Sequence, residues 1–402
     1  MHLKFKALWL FALILMCFVT KVSAQAVMLS SRAEISVFTI APGHADDPLF
    51  TQFGHSAFRV KDPLRRIDWI YDYGVFDFDE PNFYLKFARG KLNYKLAKRD
   101  YDRFEAAYRY LNRSLTEQIL NLDSLQKQTV FNYLEKNYLP ENRYYLYDFF
   151  YDNCATRLPD VLKAALGEQL VFDNSPTEEA LTFRDLIEPR LTEHRWGDLG
   201  IDLALGLPTD KVATRYQYMF LPYYVEQEFG KAVLKTNSGT KPLVSETKQV
   251  YNAVTPNDTG FTLGPGLVFG LLLALVLGIT LYDYKKKKIS KVLDFVLFLV
   301  TGLVGLLIVF LWFFTDHSAT ANNLNIVWAL PTNLVVAFFV IKKQAKLWVV
   351  RYCHIVTILL GLLLVVWYFL PQPLHYSMLP FVIAIGVRAL YFWYFHAKLY
   401  KT

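Results

Sequence analysis

The 402-residue chain reads as an exported α+β domain followed by an all-α transmembrane bundle of about five helices. Three observations carry that reading. An apolar leader opens the chain, strand-like and helix-like segments mix between residues 25 and 235, and five long apolar stretches follow residue 263. A hydrophobic content of 53 % and an aromatic content of 16 % suit a chain that is partly membrane-embedded.

The leader has a short basic region (His2, Lys4, Lys6) and an apolar run over 8–19, and Val22-Ser23-Ala24 offers a small-residue cleavage site before Gln25. This is the pattern of a signal peptide over 1–24, which sends the following residues out of the cytoplasm. A lipobox at Cys17 fits poorly because Met16 precedes it, and an uncleaved anchor is the other alternative.

In the exported domain, 25–235, residues 33–41 suit a strand ended by Pro42-Gly43. Residues 53–60 and 67–74 suit two more strands, joined by a charged turn, and further strands are expected at 92–98 and 103–111. Asp123 with Gln126 forms a capping box that opens a helix over 124–138, with Leu125, Phe131, Leu134 and Tyr138 on its apolar face. An aromatic run, 144–151, leads into Asp152-Asn153-Cys154-Ala155-Thr156-Arg157. Apolar residues at 155, 158, 161, 162, 165 and 166 then predict a core-facing helix with Asp152 or Asn153 as its cap. Pro159 is tolerated only in a first turn, which leaves Cys154 either at the helix start or in a turn before it. Residues 182–191 look helical, and 236–263, rich in Lys, Thr, Asn, Ser and Pro, read as a linker to the membrane domain, 264–402.

The apolar stretches lie at about 266–283, 292–315, 324–341, 348–370 and 379–396, each long enough to cross a hydrocarbon core as a helix. Lysines crowd 285–291 and 342–346, whereas 316–323 and 371–378 hold no Lys or Arg. The positive-inside rule therefore places the basic loops and the C-terminus in the cytoplasm and the 25–263 region outside. From residue 264 onward there are twelve Lys or Arg and three Asp or Glu, so the formal +7 of the whole chain belongs to the membrane loops. No nucleic-acid partner is implied.

Two polar features stand out in the membrane half. Arg388 falls within the last stretch, where a buried charge is a functional candidate by default, and His317, in an outer loop with Asp316 and several asparagines, is a candidate substrate-binding residue or a solvated loop histidine.

Cys154 is the only cysteine of the exported domain, so no disulfide within it is possible. It is either a buried, inert thiol or a nucleophile, and a nucleophile needs a base. His55, between Gly54 and Ser56, is the best placed of the domain's histidines, which also include His44 and His194. Asp72 on the next predicted strand can orient the imidazole, with Tyr71 and Tyr73 as alternatives. Arg157 and Arg184 are candidates for binding a lipid phosphate or for structural ion pairs. No cofactor or metal is expected.

The segments FGHSAFRV, YDYGVFDFDEPNFYLKFARGKLNYKLA, ENRYYLYDFFYDNCATR and TFRDLI occur in this order, ahead of a multi-pass tail with the loop DHSATANNLNIVWALPTN. This set resembles the Lnb-type bacterial lipoprotein N-acyltransferases. The resemblance implies a circularly permuted papain-like (NlpC/P60- and LRAT-like) domain in the periplasm on an inner-membrane anchor, with His55 as base and Cys154 as nucleophile. It implies transfer of an acyl chain from a phospholipid donor, through a thioester, to the α-amine of a diacylated lipoprotein acceptor. Two other readings stay open on the residues alone: a membrane-anchored cysteine hydrolase acting on peptidoglycan peptides or phospholipids, and a non-catalytic envelope module with a structural Cys154.

Overall fold

The computed structural model describes residues 27–44, 46–76, 79–177, 179–254 and 263–399, so the leader over 1–24 lies outside the described residues. Strands β1 (Glu34–Ile40), β2 (His55–Asp62) and β3 (Ile67–Val75) form where three runs of apolar residues are broken by turns. A short helix α1 (Phe83–Ala88) follows, and β4 (Asn93–Asp100) pairs back onto β3.

The stretch expected as a strand at 103–111 is helix α2 (Tyr101–Tyr110). The Asp100 side chain accepts the backbone N–H groups of Asp102 and Arg103, and this cap starts a helix that buries Phe104. Strand β5 (Leu115–Leu120) precedes helix α3 (Ser124–Tyr138), whose capping box forms as expected: Asp123 accepts from Gln126 N–H at 2.8 Å, and the Gln126 side chain accepts from Asp123 N–H at 3.0 Å. Phe131 and Leu134 are buried as expected, but Leu125 is exposed, and Val130, outside the expected face, is buried in the core. The aromatic run supplies β6 (Tyr144–Leu146), and helix α4 (Arg157–Leu166) follows with Pro159 in its first turn.

After β7 (Leu170–Val171) come helices α5 (Phe183–Ile187), α6 (Arg195–Ala204), α7 (Arg215–Tyr218) and α8 (Pro222–Lys231). The polar residues read as a linker over 236–263 are in large part strands instead. β8 (Val233–Thr236) and β9 (Gly239–Pro242) make a hairpin, and β10 (Val244–Tyr251) joins the main sheet. Its Thr and Val residues suit a strand, and its Glu and Lys residues suit an edge, where charge discourages further pairing.

The main sheet is antiparallel, with the order β10-β5-β1-β2-β3-β4-β6. One face packs Ile35, Val37, Phe58, Val60 and Tyr71 against α3 and α4. The other packs Phe38, Ile40, Ala57 and Ile70 against Phe104 of α2. Alternation along β1 and β2 is therefore apolar on both sides, as expected for a sheet covered on both faces.

The C-terminal half holds helices α9 (Pro265–Lys286), α10 (Lys291–Phe313), α11 (Asn333–Val340), α12 (Leu347–Val366) and α13 (Leu379–Leu399). Among the described residues, four helices are long and apolar enough to cross a membrane, not five. The expected span at 324–341 is broken: a 3-10 turn at Leu324–Val327 gives way to Pro331, and only Asn333–Val340 is α-helical. The broken segment lies against α10 at Gly302 and Gly305. A Cβ at Gly302 would meet Leu334 N at 2.2 Å, and one at Gly305 would meet Ala329 O at 2.0 Å. Non-helical backbone at this depth survives because it is buried in protein, with Asn333 donating to Thr301 Oγ1 at 3.0 Å. The segment still runs from the outer-loop end to Lys342, whose carbonyl accepts from Lys291.

Candidate active site

Strand register builds the site. β2 begins at His55 and pairs antiparallel with β3, so His55 and Asp72 come to one side of the sheet. The His55 Nε2 to Asp72 Oδ1 distance is 2.6 Å. Asp72 is buried and receives Arg99 Nε at 3.2 Å on its other oxygen, so its orientation is held from two sides. With Nε2 committed to Asp72, Nδ1 is the ring nitrogen left to exchange a proton.

Cys154 lies in the turn that leads directly into α4. Arg157 N–H bonds to the Asn153 carbonyl at 3.2 Å, and the Asn153 side-chain oxygen accepts from Ala155 and Thr156 N–H at 2.7 and 2.9 Å. Asn153 in turn donates to the carbonyls of Phe149 and Phe220, which fixes the turn to the core. The helix cap expected at Asp152 or Asn153 does not form: α4 starts after Thr156, which makes no side-chain cap bond, so Asn153 caps the turn instead and Cys154 precedes the helix.

The thiol reaches β3 through Gly74. This glycine has φ +83°, and a Cβ built there would sit 3.3 Å from Cys154 Cβ. The β3–β4 register shifts between Asp72 and Val75, and that irregularity places Gly74 where the Cys154 turn meets the sheet. Cys154 is 9 % exposed and the His55 side chain 18 %, so the pair is shielded but not sealed.

Burial alone would disfavour a charged His55. The Tyr108 hydroxyl, the Cys154 thiol and the Asp72 carboxylate outweigh it and hold the imidazole pKa well above 6.5. The environment therefore favours imidazolium beside the thiol, the charge arrangement that activates a cysteine nucleophile.

Residues 25–188 match the family pattern described as the Lnb N-terminal periplasmic domain, and residues 256–399 match the Lnb transmembrane domain. The chain belongs to the Lnb family. Compared with the curated proteins and with the solved structures, the chain matches none. This Lnb chain is thus a membrane protein with a periplasmic N-terminal domain of mixed α and β structure and a helical C-terminal region.

The other sequence-derived candidates of this Lnb chain do not converge on Cys154 to the same degree. Arg157 is bonded to Asp152 at 2.5 and 2.6 Å and lies over the Tyr145 ring at 4.1 Å. Arg184 is buried beneath Asp202, Asp210 and Thr209, a structural network with no face left for a lipid phosphate. Arg388 pairs with Asp294 at 2.6 Å and Asp283 at 3.2 Å, beside the 285–291 loop and at the end of α9 remote from the periplasmic domain.

His317 is placed at the junction of the two halves. Its Nε2 lies 3.1 Å from the Phe87 carbonyl, while Asp316 N–H donates to the Arg89 carbonyl at 2.9 Å. Ser318 Oγ donates to Asp148 at 3.1 Å, in the aromatic run that precedes Cys154. The outer-loop asparagines are also docking groups, since Asn323 donates to the Leu203 carbonyl and Asn325 to the Asp202 carbonyl.

Three residues around the thiol escaped sequence reasoning. Tyr108 of α2 sits close enough to His55, Asp72 and Cys154 to interact with all three, and burial raises its pKa. Tyr147 lies 3.6 Å from the Gly74 Cβ position, and burial followed by the Cys154 charge pushes its pKa well up. Gly74 is the third. The aromatic run signalled Tyr147 only as bulk, and Tyr108 was hidden when 103–111 was read as a strand.

Proposed function

We propose that the chain is a lipoprotein N-acyltransferase that uses Cys154 as nucleophile, His55 as base and Asp72 as the group that orients His55. The observation that carries this reading is the 2.6 Å His55–Asp72 pair, whose imidazole pKa is held up against burial by Tyr108, Cys154 and Asp72 together. Family membership and the order of histidine before cysteine support a circularly permuted papain-like fold for the periplasmic domain. The lysine-rich loops support an inner-membrane placement with the C-terminus in the cytoplasm.

The chemistry runs in two halves. The Cys154 thiol gives its proton to His55, and the sulfur attacks an ester carbonyl of a membrane phospholipid. The ester C–O bond breaks, His55 returns the proton to the leaving oxygen, and a lysophospholipid departs from a thioester. The α-amine of a diacylglyceryl-cysteine then attacks the thioester, His55 takes its proton, and an amide forms as the thiolate leaves. Both substrates lie in the outer leaflet, so a membrane-held site meets them at high effective concentration. The shielded thiol limits loss of the thioester to water.

The test is mass spectrometry of a lipoprotein's N-terminal peptide in cells that lack lipoprotein N-acylation, expressing wild type or Cys154→Ala. Wild type is expected to add one acyl mass and the alanine variant none. A gain that persists in Cys154→Ala would sink the cysteine mechanism. No gain with either, together with release of lysophospholipid or fatty acid by wild type alone, would turn the reading to a hydrolase.

A further inference from the structure

Helix α1 buries only Phe83 and turns large apolar side chains outward: Tyr84 is 79 % exposed, Leu85 56 % and Phe87 54 %. Phe50, 64 % exposed, adds to the same patch through its ring contact with Phe76, which in turn packs on Phe83. A patch of this kind on a water-facing surface is an interaction site rather than a neutral feature. Lys86, Arg89 and Lys91 flank it; Lys86 pairs with Glu80 at 2.6 Å and Lys91 with Asp316 at 3.5 Å, and Arg89 is exposed.

The patch is continuous with the membrane-spanning region. The carbonyls of Phe87 and Arg89 are held by His317 and Asp316, three to four residues beyond Phe313 at the outer end of α10. Phe313 and Phe314 at that end are themselves exposed. Leu303, Leu306 and Leu307 on the outer half of α10 are exposed as well and continue this apolar surface. Inward from the patch, rings touch in sequence toward the thiol. Phe83 packs on Phe76 at 5.8 Å, Phe76 on Tyr94 at 5.4 Å, and Tyr94 stacks on Tyr147 at 4.3 Å, which borders Gly74 and Cys154.

We propose that α1 is a membrane-inserted wedge. Its Tyr84, Leu85 and Phe87 enter the outer leaflet, the exposed Arg89 beside them takes the phosphate of a phospholipid, and the Phe83–Phe76–Tyr94–Tyr147 ladder guides that lipid's acyl ester to Cys154. The last element rests on the acyltransferase reading; the seating of α1 in the leaflet does not. Apolar and aromatic side chains beside lysines and arginine are the composition that settles at a lipid interface.

The test uses the full chain in vesicles of phosphatidylethanolamine and phosphatidylglycerol. An environment-sensitive fluorophore is attached at Tyr84→Cys, and separately at Leu85→Cys, on a Cys154→Ala background. Ser238→Cys, in the exposed β8–β9 turn, is the aqueous control. Quenching at 84 and 85 by acyl-chain spin labels is expected to exceed quenching by iodide, with the reverse order at 238. Iodide-dominated quenching at both α1 positions would overturn the wedge.

On the Cys154 background, Leu85→Ser/Phe87→Ser is expected to raise KM for vesicle phospholipid about tenfold. Acylation of Cys154 by a water-soluble nitrophenyl ester is expected to stay unchanged. Equal losses with both substrates would overturn the guiding role. If wild type forms no acyl-enzyme at all while positions 84 and 85 are lipid-quenched, the acyltransferase reading fails and the membrane seating stands.

Discussion

Two buried ion pairs, one in each half, show how the same cost is put to different use. His55–Asp72 sits in the periplasmic domain with 18 % of the His55 side chain exposed, and a thiol beside it. Arg388 with Asp283 and Asp294 is sealed, at 1 %, 0 % and 0 % side-chain exposure, and Thr280 and Ser290 satisfy further positions. Burying a charge is expensive unless a partner is held in good geometry. In the first case the partner biases a proton toward the group that needs it. In the second, one cation ties α9, α10 and α13 together, and the thiol that feels Asp294, Cys353 of α12, is fully buried. A perturbed charge marks chemistry only when a nucleophile and a path for substrate accompany it.

The comparison can be broken most severely at His55. His55→Ala is expected to lower acyl-enzyme formation by about 10⁴-fold, the scale of losing a base that activates a nucleophile. Asp72→Asn should cost about 10²- to 10⁴-fold and also change the pH profile. The Asp72 carboxylate helps hold the His55 pKa above 6.5, so its removal lowers that pKa. The limb at which imidazolium is lost then moves to lower pH, which lysophospholipid release measured against pH will read. The stability sign agrees: the pair's contribution is fully present below about 6.5 and fades as pH rises through the folded-state value, so Asp72→Asn should destabilise most at mildly acidic pH. An unmoved alkaline limb would remove Asp72 from the orienting role.

Arg388→Leu strikes the sealed site. It strands two carboxylates and is expected to cost about 3–5 kcal/mol of bundle stability, seen as a lower unfolding midpoint in detergent. Adding Asp283→Asn and Asp294→Asn should recover much of that loss. Thiol alkylation of Cys154 in protein that remains folded should be unchanged, since the triad lies at the opposite end of α9 from the periplasmic domain.

The contrast also separates what a sequence discloses from what it hides. The three central strands, the α3 capping box and the apolar face of α4 were legible because period and capping chemistry are local. So were His55, Asp72 and Cys154 as candidates, since strand order alone brings 55 and 72 near each other. The helix at 101–110 was missed because its start depends on Asp100 capping two N–H groups, while its aromatic residues suit a strand equally well. β10 was missed because edge strands are polar and resemble a tether. The break at 324–341 depends on Gly302 and Gly305, which admit a non-helical partner that hydropathy cannot detect. The sequence leaves Arg184 open between phosphate binding and an ion pair and makes Arg388 a candidate by its place in a span, and only the fold supplies their carboxylate partners.

Gly74→Ala tests how closely the first site is built. The new Cβ would meet Cys154 Cβ at 3.3 Å and carry φ +83°, which an L side chain adopts only at a cost of about 1–2 kcal/mol. The expected result is a modest fall in unfolding midpoint with a larger fall, about 10- to 100-fold, in Cys154 acylation, because a displacement of well under 1 Å at the nucleophile is amplified in rate. Equal proportional effects on stability and rate would mean that Gly74 only supports the fold.

The smallest effect is expected at His317. Its bond to the Phe87 carbonyl joins the outer loop to α1, and Asp316 N–H makes a parallel contact with the Arg89 carbonyl. His317→Ala removes one partly exposed hydrogen bond, worth about 0.5–1.5 kcal/mol, and leaves the backbone contact in place. Global unfolding should hardly move. Hydrogen exchange at α1 should speed up, because the helix is short and its buried contact is confined to Phe83. A fall in acylation as large as that of Asp72→Asn, with α1 exchange unchanged, would instead bring His317 into direct contact with the substrate and erase the line drawn here between the reactive pair and the groups that only hold the two halves together.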